Sequence, residues 1–307
     1  MATITTTTSA DAAGLDEFCS WFGARLRRTR GHDPSPATLK VKRSRTRSLL
    51  NWSGASSIGD LAPILADREQ TARLVEFIHE RMGAASVAQV VQVLKQLGEY
   101  CVALGLIESH SVRDDDRPFV PLPPIETYTA REVEAFVSAA RGVSLRWWAF
   151  LATIADTGRR VGEVLSLRWE WLSLESSTPH FQLPTTKNRR QAFVPLTHRL
   201  RSEVFVSTVI DRLQNVNETG RTRNKSQREY IFPWSYQTVY DRFGDFCERT
   251  GLPNRGFHCF RHTKATEMLA RGVPVHAVST LLGHSSIAMT DRRYNHCNAL
   301  AFAHYND

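Results

Sequence analysis

Six polar residues of this chain have the chemical types and local settings needed to act on a phosphodiester. Two arginines, a lysine and two histidines could surround its anionic oxygens, and a tyrosine could attack it. They are Arg160, Lys187, His258, Arg261, His284 and Tyr294. Each has an ordinary structural explanation when it is considered alone, so the prediction depends on the whole set.

The first arginine lies in the run Thr157-Gly158-Arg159-Arg160-Val161-Gly162-Glu163, which follows an apolar segment. Gly158 permits a tight turn, after which Arg160 begins a new helix. Glu163 lies one turn later on the same face and can hold the guanidinium in place. A surface arginine–glutamate pair at a helix start is the alternative for this run alone.

The second arginine belongs to His258-Cys259-Phe260-Arg261-His262, in which His258 and Arg261 share a helix face. His258 and His262 are four residues apart, as in a zinc-binding helix. That motif needs a glutamate beside the first histidine, and here the neighbour is Cys259. Arg261 would also repel a cation, so neither a metal nor another cofactor is expected.

Lys187, His284 and Tyr294 are less specific when each is read by itself. Lys187 lies in a polar turn between two predicted strands, where a lysine is usually only solvated. His284 follows Gly283 at the end of a predicted helix, where a histidine is most often structural. A tyrosine near the end of a chain usually has no chemical role.

The elements that must position these residues fall in a second, mainly helical domain over 127–307, opened by a capping box at Thr129 and Glu132. The predicted elements are helices over Trp147–Ala155 and Arg160–Leu167, strands over Phe181–Leu183 and Ala192–Leu196, and helices near Ser235, Phe260, Pro274 and Ile287. Residues 215–229 have no apolar period and are predicted to form a mobile loop.

The first part of the chain predicts a separate helical domain over 14–107 with four short helices. Residues 1–13 are predicted to be a disordered leader. Residues 108–126 are rich in aspartate and proline and poor in periodic apolar residues, which predicts a linker between the domains.

Positive charge is concentrated in the first predicted domain. The chain has a formal net charge of +8, and from Arg25 to Arg47 the only acidic residue is Asp33. Such a run indicates a phosphate backbone as partner, although a solubilising surface is the alternative. The candidate nucleic-acid contacts are Arg28, Lys40, Lys42, Arg43, Arg45 and Arg47.

Composition places the chain among soluble intracellular proteins. It is 42% hydrophobic and 23% charged, with no apolar run long enough for a bilayer and no secretory signal. Its five cysteines are widely spaced and form no CxxC pair, which is typical of reduced cysteines. We therefore expect a cytoplasmic protein.

Together, the motifs resemble those of the tyrosine recombinases, or phage-type integrases. The matching segments are Thr157 to Trp169 for TGxRxxE…LxW, His258 to His262 for HxxRH, Leu281 to His284 for LLGH, and Tyr294 with His296 for YxH. The resemblance implies a mainly α fold with a small β-hairpin or sheet. It further implies an N-terminal helical core-binding (SAM-like) bundle and a C-terminal mixed α/β catalytic domain.

The resemblance also implies roles for the six residues. Tyr294 would form a 3′-phosphotyrosine with DNA, Arg160 and Arg261 would clamp the non-bridging oxygens, and Glu163 would support them. His284 would donate a hydrogen bond to the phosphate, His258 would assist proton transfer, and Lys187 would protonate the leaving oxygen. The family acts on double-stranded DNA as a homotetramer and is often monomeric when free.

One departure from the family pattern leaves a function without cleavage open, and the likeness of active sites leaves another. The segment from His284 to Tyr294 is one residue longer than the family pattern, and one added residue rotates the rest of a helix by about 100°. A recombinase fold that binds DNA with weak or no cleavage is therefore one alternative to a site-specific recombinase. A type IB topoisomerase, which uses a similar site, is another.

Overall fold

The structure, a computed structural model, describes residues 9–121, 124–174, 178–183, 192–202 and 229–283. The chain divides into two compact units, Met1–Pro123 and Pro124–Asp307. The described residues are mostly helical, with one three-stranded antiparallel sheet, which confirms the predicted fold class. None of the described helices combines the length and apolar character needed to cross a bilayer.

Five α-helices form most of the described part of the first unit. They are α1 (Ser9–Arg30), α2 (Pro36–Ser53), α3 (Ile58–Ala66), α4 (Arg68–Arg81) and α5 (Ala84–Ala103). The sequence predicted four helices and missed α3, whose nine residues include Pro63. A proline within so short a segment obscures the helical signal, because it normally breaks a helix. The core of this unit includes Phe18, Leu49, Leu61 and Leu94, each fully buried.

The segment predicted as a linker packs in part on the first unit. Residues Asp114–Asp116 form a short 3-10 helix, which the sequence did not predict. Asp116 is buried, and Arg68 donates two hydrogen bonds to its carboxylate, of 2.7 and 2.8 Å. Ser111 donates from its backbone N–H to the carbonyl of Leu65 at 2.7 Å. Polar contacts and the buried side chain of Val112 together hold this segment in place.

The second unit is built around an apolar helix. The helices among its described residues are α6 (Ala130–Val143), α7 (Leu145–Thr157), α8 (Val161–Leu165), α9 (His198–Arg201), α10 (Tyr236–Thr250), α11 (Phe257–Ala270) and α12 (Val275–Leu282), with a 3-10 turn at Trp169–Trp171. The predicted capping box forms at α6, where Thr129 and Glu132 exchange hydrogen bonds. Every side chain of α7 from Arg146 to Thr157 is buried, so this helix is the centre of the unit.

Aromatic packing and a small sheet are further features of the second unit. Phe136 contacts Phe243, Phe246 and Phe260 with ring centroids 5.2–6.3 Å apart, which joins α6, α10 and α11. The strands are β1 (Leu172–Ser173), β2 (His180–Leu183) and β3 (Ala192–Pro195). They pair in the order β1-β2-β3. The two predicted strands are therefore confirmed, and β1 is a third.

Candidate active site

The site begins at the sharp turn that ends α7. Gly158 has φ +62° and ψ 16°, the left-handed conformation that favours glycine. A Cβ added there would lie 2.7 Å from Cδ2 of Leu282 and 3.1 Å from Cβ of Lys264. Glycine is thus required at this position for two reasons. The turn needs a left-handed conformation, and α11 and α12 pack directly against the residue.

Arg160 follows this turn as the N-cap residue of α8. Its backbone N–H and its Nη1 donate to the two carboxylate oxygens of Glu163, at 3.2 and 3.1 Å. The side chain of Arg160 is 34% exposed and that of Glu163 is 13% exposed. Glu163 therefore fixes a guanidinium that still reaches solvent.

Arg261 approaches the same turn from α11. Its side chain is almost completely buried, at 2% exposure, and it is the largest fully buried side chain of the described residues. Nη1 of Arg261 donates to the carbonyl of Gly158 at 3.1 Å, across 103 residues of sequence. A buried charge is costly unless it is hydrogen-bonded, so this bond helps to hold the guanidinium at the turn.

The end of α12 is the third segment at this place. Gly283 ends that helix in the left-handed conformation, and its carbonyl accepts a hydrogen bond from Nη1 of Arg160 at 3.4 Å. The segments around Arg160, Arg261 and Gly283, widely separated in sequence, therefore meet at one point. Two guanidinium groups that converge there can bind the two non-bridging oxygens of a phosphodiester.

His258 lies one turn before Arg261 on α11 and is exposed. Its ring is perpendicular to that of His262, with centroids 4.8 Å apart. In the described part of the chain, no group of three or more His, Cys, Asp or Glu side chains could hold a metal ion. The position of His258 on the first turn of α11 leaves its ring accessible to a substrate.

Three of the predicted site residues, Lys187, His284 and Tyr294, lie outside the described residues. Lys187 belongs to the connection between β2 and β3, whose ends pair at Leu183 and Ala192. His284 directly follows Gly283. The predicted helix near Ile287 and most of the predicted loop over 215–229 also lie outside the described residues.

Sequence reasoning passed over Arg159, which the structure places inside the site. The residue is 4% exposed, and its Nη1 lies 3.7 Å from Oε2 of Glu163. A Cβ added to Gly283 would be 3.0 Å from the same Nη1. The sequence signal was its place beside Arg160. Adjacent side chains point in different directions, so when one arginine of the pair faces solvent the other can face inward.

The predicted nucleic-acid contacts on α1 and α2 divide into two groups. Arg28, Lys40, Arg43 and Arg47 are exposed, and Arg43 forms an ion pair with Asp16. Lys42 is buried, its Nζ donates to Gln96 and lies 4.9 Å from the ring centroid of Phe22. Arg45 is half-buried and donates to Gln89.

The placement of Lys42 on a phosphate-binding surface is therefore corrected. Lys42, Thr46 and Leu49 recur at helical spacing and form the buried face of α2. Lys40, Arg43 and Arg47 follow the same spacing on another face and remain exposed. Burial lowers the pKa of Lys42 to about 8, with a smaller contribution from Arg45.

Comparison with known proteins gives a family match over most of the second unit. The model of the phage integrase family matches residues 126–300. This range contains all three described segments of the site as well as Lys187, His284 and Tyr294.

Individual relatives carry the name of tyrosine recombinases. The chain is 29% identical to a "Tyrosine recombinase XerC-like" protein of Caldanaerobacter subterraneus subsp. tengcongensis, over 56% of this chain and 50% of that protein. It thus spans about half the length of this curated relative. It is 24% identical to "Tyrosine recombinase XerD" of Corynebacterium glutamicum, over 86% of this chain and 89% of that protein.

A solved structure shares the fold. The Tn1549 transposon integrase, in complex with a circular intermediate DNA, superposes with a TM-score of 0.69 and 17% identity. The superposition covers 94% of this chain and 99% of that chain.

Proposed function

The chain belongs to the phage integrase family, and from that premise we propose that it is a site-specific DNA recombinase that cleaves and rejoins DNA through a 3′-phosphotyrosine intermediate. The observation that carries this proposal is the convergence of Arg160 and Arg261 at the Gly158 turn. Two guanidinium groups from distant segments, one supported by Glu163, form a cradle for an anionic phosphate.

The proposed chemistry is a transesterification at phosphorus. The Tyr294 hydroxyl oxygen attacks the scissile phosphate and loses its proton with the assistance of His258. The bond from phosphorus to the 5′-oxygen breaks, and Lys187 gives that oxygen a proton, which releases a 5′-hydroxyl. Arg160, Arg261 and His284 stabilise the charge on the non-bridging oxygens as it develops.

Rejoining is the reverse reaction with a 5′-hydroxyl from a second strand. The phosphotyrosine ester conserves the energy of the original phosphodiester, so no nucleotide cofactor is consumed. Exchange between two duplexes needs four cleavages, and we propose a homotetramer on paired DNA sites that is monomeric when free. The exposed arginines and lysine of α1 and α2 are proposed to hold the DNA backbone.

Trapping the covalent intermediate tests the function. We expect a covalent protein–DNA adduct when the chain is incubated with nicked suicide duplexes cut from the DNA that flanks its gene. Tyr294→Phe should abolish the adduct, because it removes the attacking oxygen. The matched control is Tyr236→Phe, an exposed tyrosine of α10, which should keep it. An adduct that survives Tyr294→Phe would exclude Tyr294 as the nucleophile.

The same assay distinguishes the related activities. A recombinase should cut only duplexes that carry its site, whereas a type IB topoisomerase should relax any supercoiled plasmid. Since the proposed chemistry uses side chains alone, the adduct should form equally well in EDTA. An absolute requirement for magnesium would contradict this mechanism. Specific DNA binding with no adduct would indicate a relative that no longer cleaves.

A further inference from the structure

Arg159 is a buried arginine whose guanidinium has no hydrogen-bond partner within the described part of the chain. Its side chain is 3% exposed, and Nε, Nη1 and Nη2 have no hydrogen-bond partner within normal distance among the described residues. Burial without hydrogen bonds is costly for an ionised group, and folded proteins rarely accept it. Arginine stays protonated even so, although burial lowers its pKa here. The charge therefore calls for an explanation other than packing.

The described residues leave little space beside Arg159 for a substrate phosphate. The adjoining cavity, with a volume of about 10 Å³, is lined partly by Phe181 and Leu183 of β2 and Val194 of β3. This volume has room for one water molecule at most. The carboxylate of Glu163 lies beside Arg159, with its Oε2 3.7 Å from Nη1.

The negative charge of Glu163 opposes the binding of a phosphate at Arg160, and Arg159 can offset this charge. The carboxylate orients Arg160 through two hydrogen bonds, at 3.1 and 3.2 Å. It also cancels the charge of that guanidinium and would repel a phosphodiester held by it. In a poorly solvated site, both effects are stronger than they are in water.

We propose that Arg159 neutralises Glu163, so that Arg160 is oriented by the carboxylate and still presents a net positive charge to the scissile phosphate. Two buried or half-buried cations then share one anion, and the group as a whole stays positive. Arg159 acts through Glu163 and is a positioning residue, without contact to substrate. This inference rests on the proposed function, because it assigns the anion at Arg160 as a DNA phosphate.

A double-mutant cycle tests this role. Arg159→Met keeps the volume without the charge and should slow adduct formation by about 10-fold, whereas Arg159→Lys should retain most of the rate. Glu163→Gln should slow the wild-type chain, since it weakens the orientation of Arg160. In the Arg159→Met background the same change should speed the reaction, because it removes an uncompensated negative charge. This reversal of sign is the expected result.

A slowing by Glu163→Gln in both backgrounds, or an unchanged rate in Arg159→Met, would overturn the proposal. Replacement of a buried, poorly partnered charge by an apolar side chain of similar volume is generally tolerated. Circular dichroism tests whether each variant is folded. If Arg159→Met does not fold, Arg159→Gln takes its place in the cycle.

A second measurement does not depend on cleavage. Inorganic phosphate should raise the Tm of the wild-type chain above its value in chloride of equal ionic strength. The same shift measured in Arg160→Ala gives the contribution of phosphate bound at other basic residues. The excess shift is the part of the wild-type Tm shift that exceeds that of Arg160→Ala. Arg159→Met should lose this excess, and Arg159→Met with Glu163→Gln should regain it.

The two measurements separate the two proposals. Suppose that the wild-type chain forms no adduct, but the phosphate-induced Tm shift is lost in Arg159→Met and regained in the double variant. The proposed cleavage then fails and the charge compensation stands. If the wild-type shift does not exceed that of Arg160→Ala, no anion binds at Arg160 and the role of Arg159 is wrong.

Discussion

Gly158 is the residue on which the geometry of the candidate site depends. Its left-handed turn separates α7 from α8, and its carbonyl accepts the hydrogen bond of the buried Arg261. Because a Cβ here would lie 2.7 Å from Leu282, the turn and the packing of α12 cannot be changed separately. One residue therefore couples the positions of Arg160 and Arg261.

We predict that Gly158→Ala destabilises the chain by about 2–4 kcal/mol, from the cost of the left-handed conformation and the overlap with Leu282. Adduct formation should fall by about 100-fold, because small displacements of catalytic groups are costly. Urea denaturation and the suicide-duplex assay measure the two effects.

The control for this substitution is Gly244→Ala. Gly244 lies inside α10, and an added Cβ there would contact nothing within 4 Å. It should stabilise the chain by about 0.5–1 kcal/mol, because alanine favours a helix, and leave cleavage unchanged. Equal losses in both variants would mean that Gly158 has no special role.

Lys42 shows how a basic residue in a basic cluster can serve the core instead of a ligand. Burial holds its pKa at about 8, below the ordinary 10.5. Between these two values the unfolded chain binds more protons than the folded chain does, so the stability contributed by this residue rises with pH. Below pH 8 the lysine is charged in both states, and the burial penalty is fully present.

Lys42→Met should therefore stabilise the chain at pH 7 by roughly 2–3 kcal/mol, and this advantage should shrink as the pH rises from about 8 to about 10. Urea denaturation of the wild-type chain and of Lys42→Met across this pH range gives the difference between their free energies of unfolding. The contributions of the other titrating groups cancel in this difference. A constant or growing advantage would show that Lys42 is not buried in its charged form.

At the scale of elements, the 3-10 helix at Asp114–Asp116 attaches the segment after α5 to the first unit. Burial alone would raise the pKa of Asp116, but hydrogen bonds from Arg68 and from the backbone of Arg113 outweigh it, and the pKa is lowered. The ionised form is thus favoured by folding. Its stabilisation is present above the ordinary pKa of 3.8 and is lost as the pH falls below it.

Asp116→Asn should reduce stability at pH 7 by about 1–2 kcal/mol, a modest figure because the side chain of Arg68 is 37% exposed. The difference from wild type should shrink as the pH falls below 3.8, the ordinary pKa of an aspartate. Asp115→Asn is the matched control, because Asp115 is an exposed neighbour, and it should change little. Similar losses from both changes would indicate a general charge effect instead of this contact.

At the scale of the whole molecule, the distribution of charge matters more than its sum. The chain carries a formal charge of +8, but only the exposed members of the basic cluster can meet a phosphate backbone. Lys40, Arg43 and Arg47 share an exposed face of α2, whereas Lys42 faces inward. A polyanion that binds this face should release counterions in proportion to the phosphates neutralised.

Lys40→Gln with Arg47→Gln should therefore reduce the slope of log affinity for duplex DNA against log salt by about 1.8. The control, Arg73→Gln with Arg81→Gln on α4, removes the same charge and should leave the slope nearly unchanged. Fluorescence anisotropy over a salt series measures both. Equal changes in the two variants would mean that net charge, and not this face of α2, attracts DNA.

Local signals in the sequence predicted most of the elements. The capping box at Thr129 and the glycine turn at Gly158 are both short-range features, and so are the two strands on either side of the polar turn. Helix α3 and the 3-10 helix were missed for a related reason. Pro63 argues against a helix locally, and Asp116 is held by Arg68, a contact across 48 residues that no local pattern contains.

The sequence by itself determined the types of the candidate residues, their motifs and the mainly helical fold, because all of these depend on spacing along the chain. Only the tertiary structure decided that Arg160 and Arg261 meet at Gly158, that Lys42 faces the core and that Arg159 lies beside Glu163. These depend on which helix faces pack together, and a buried charge or a glycine contact becomes visible only when distant segments are adjacent.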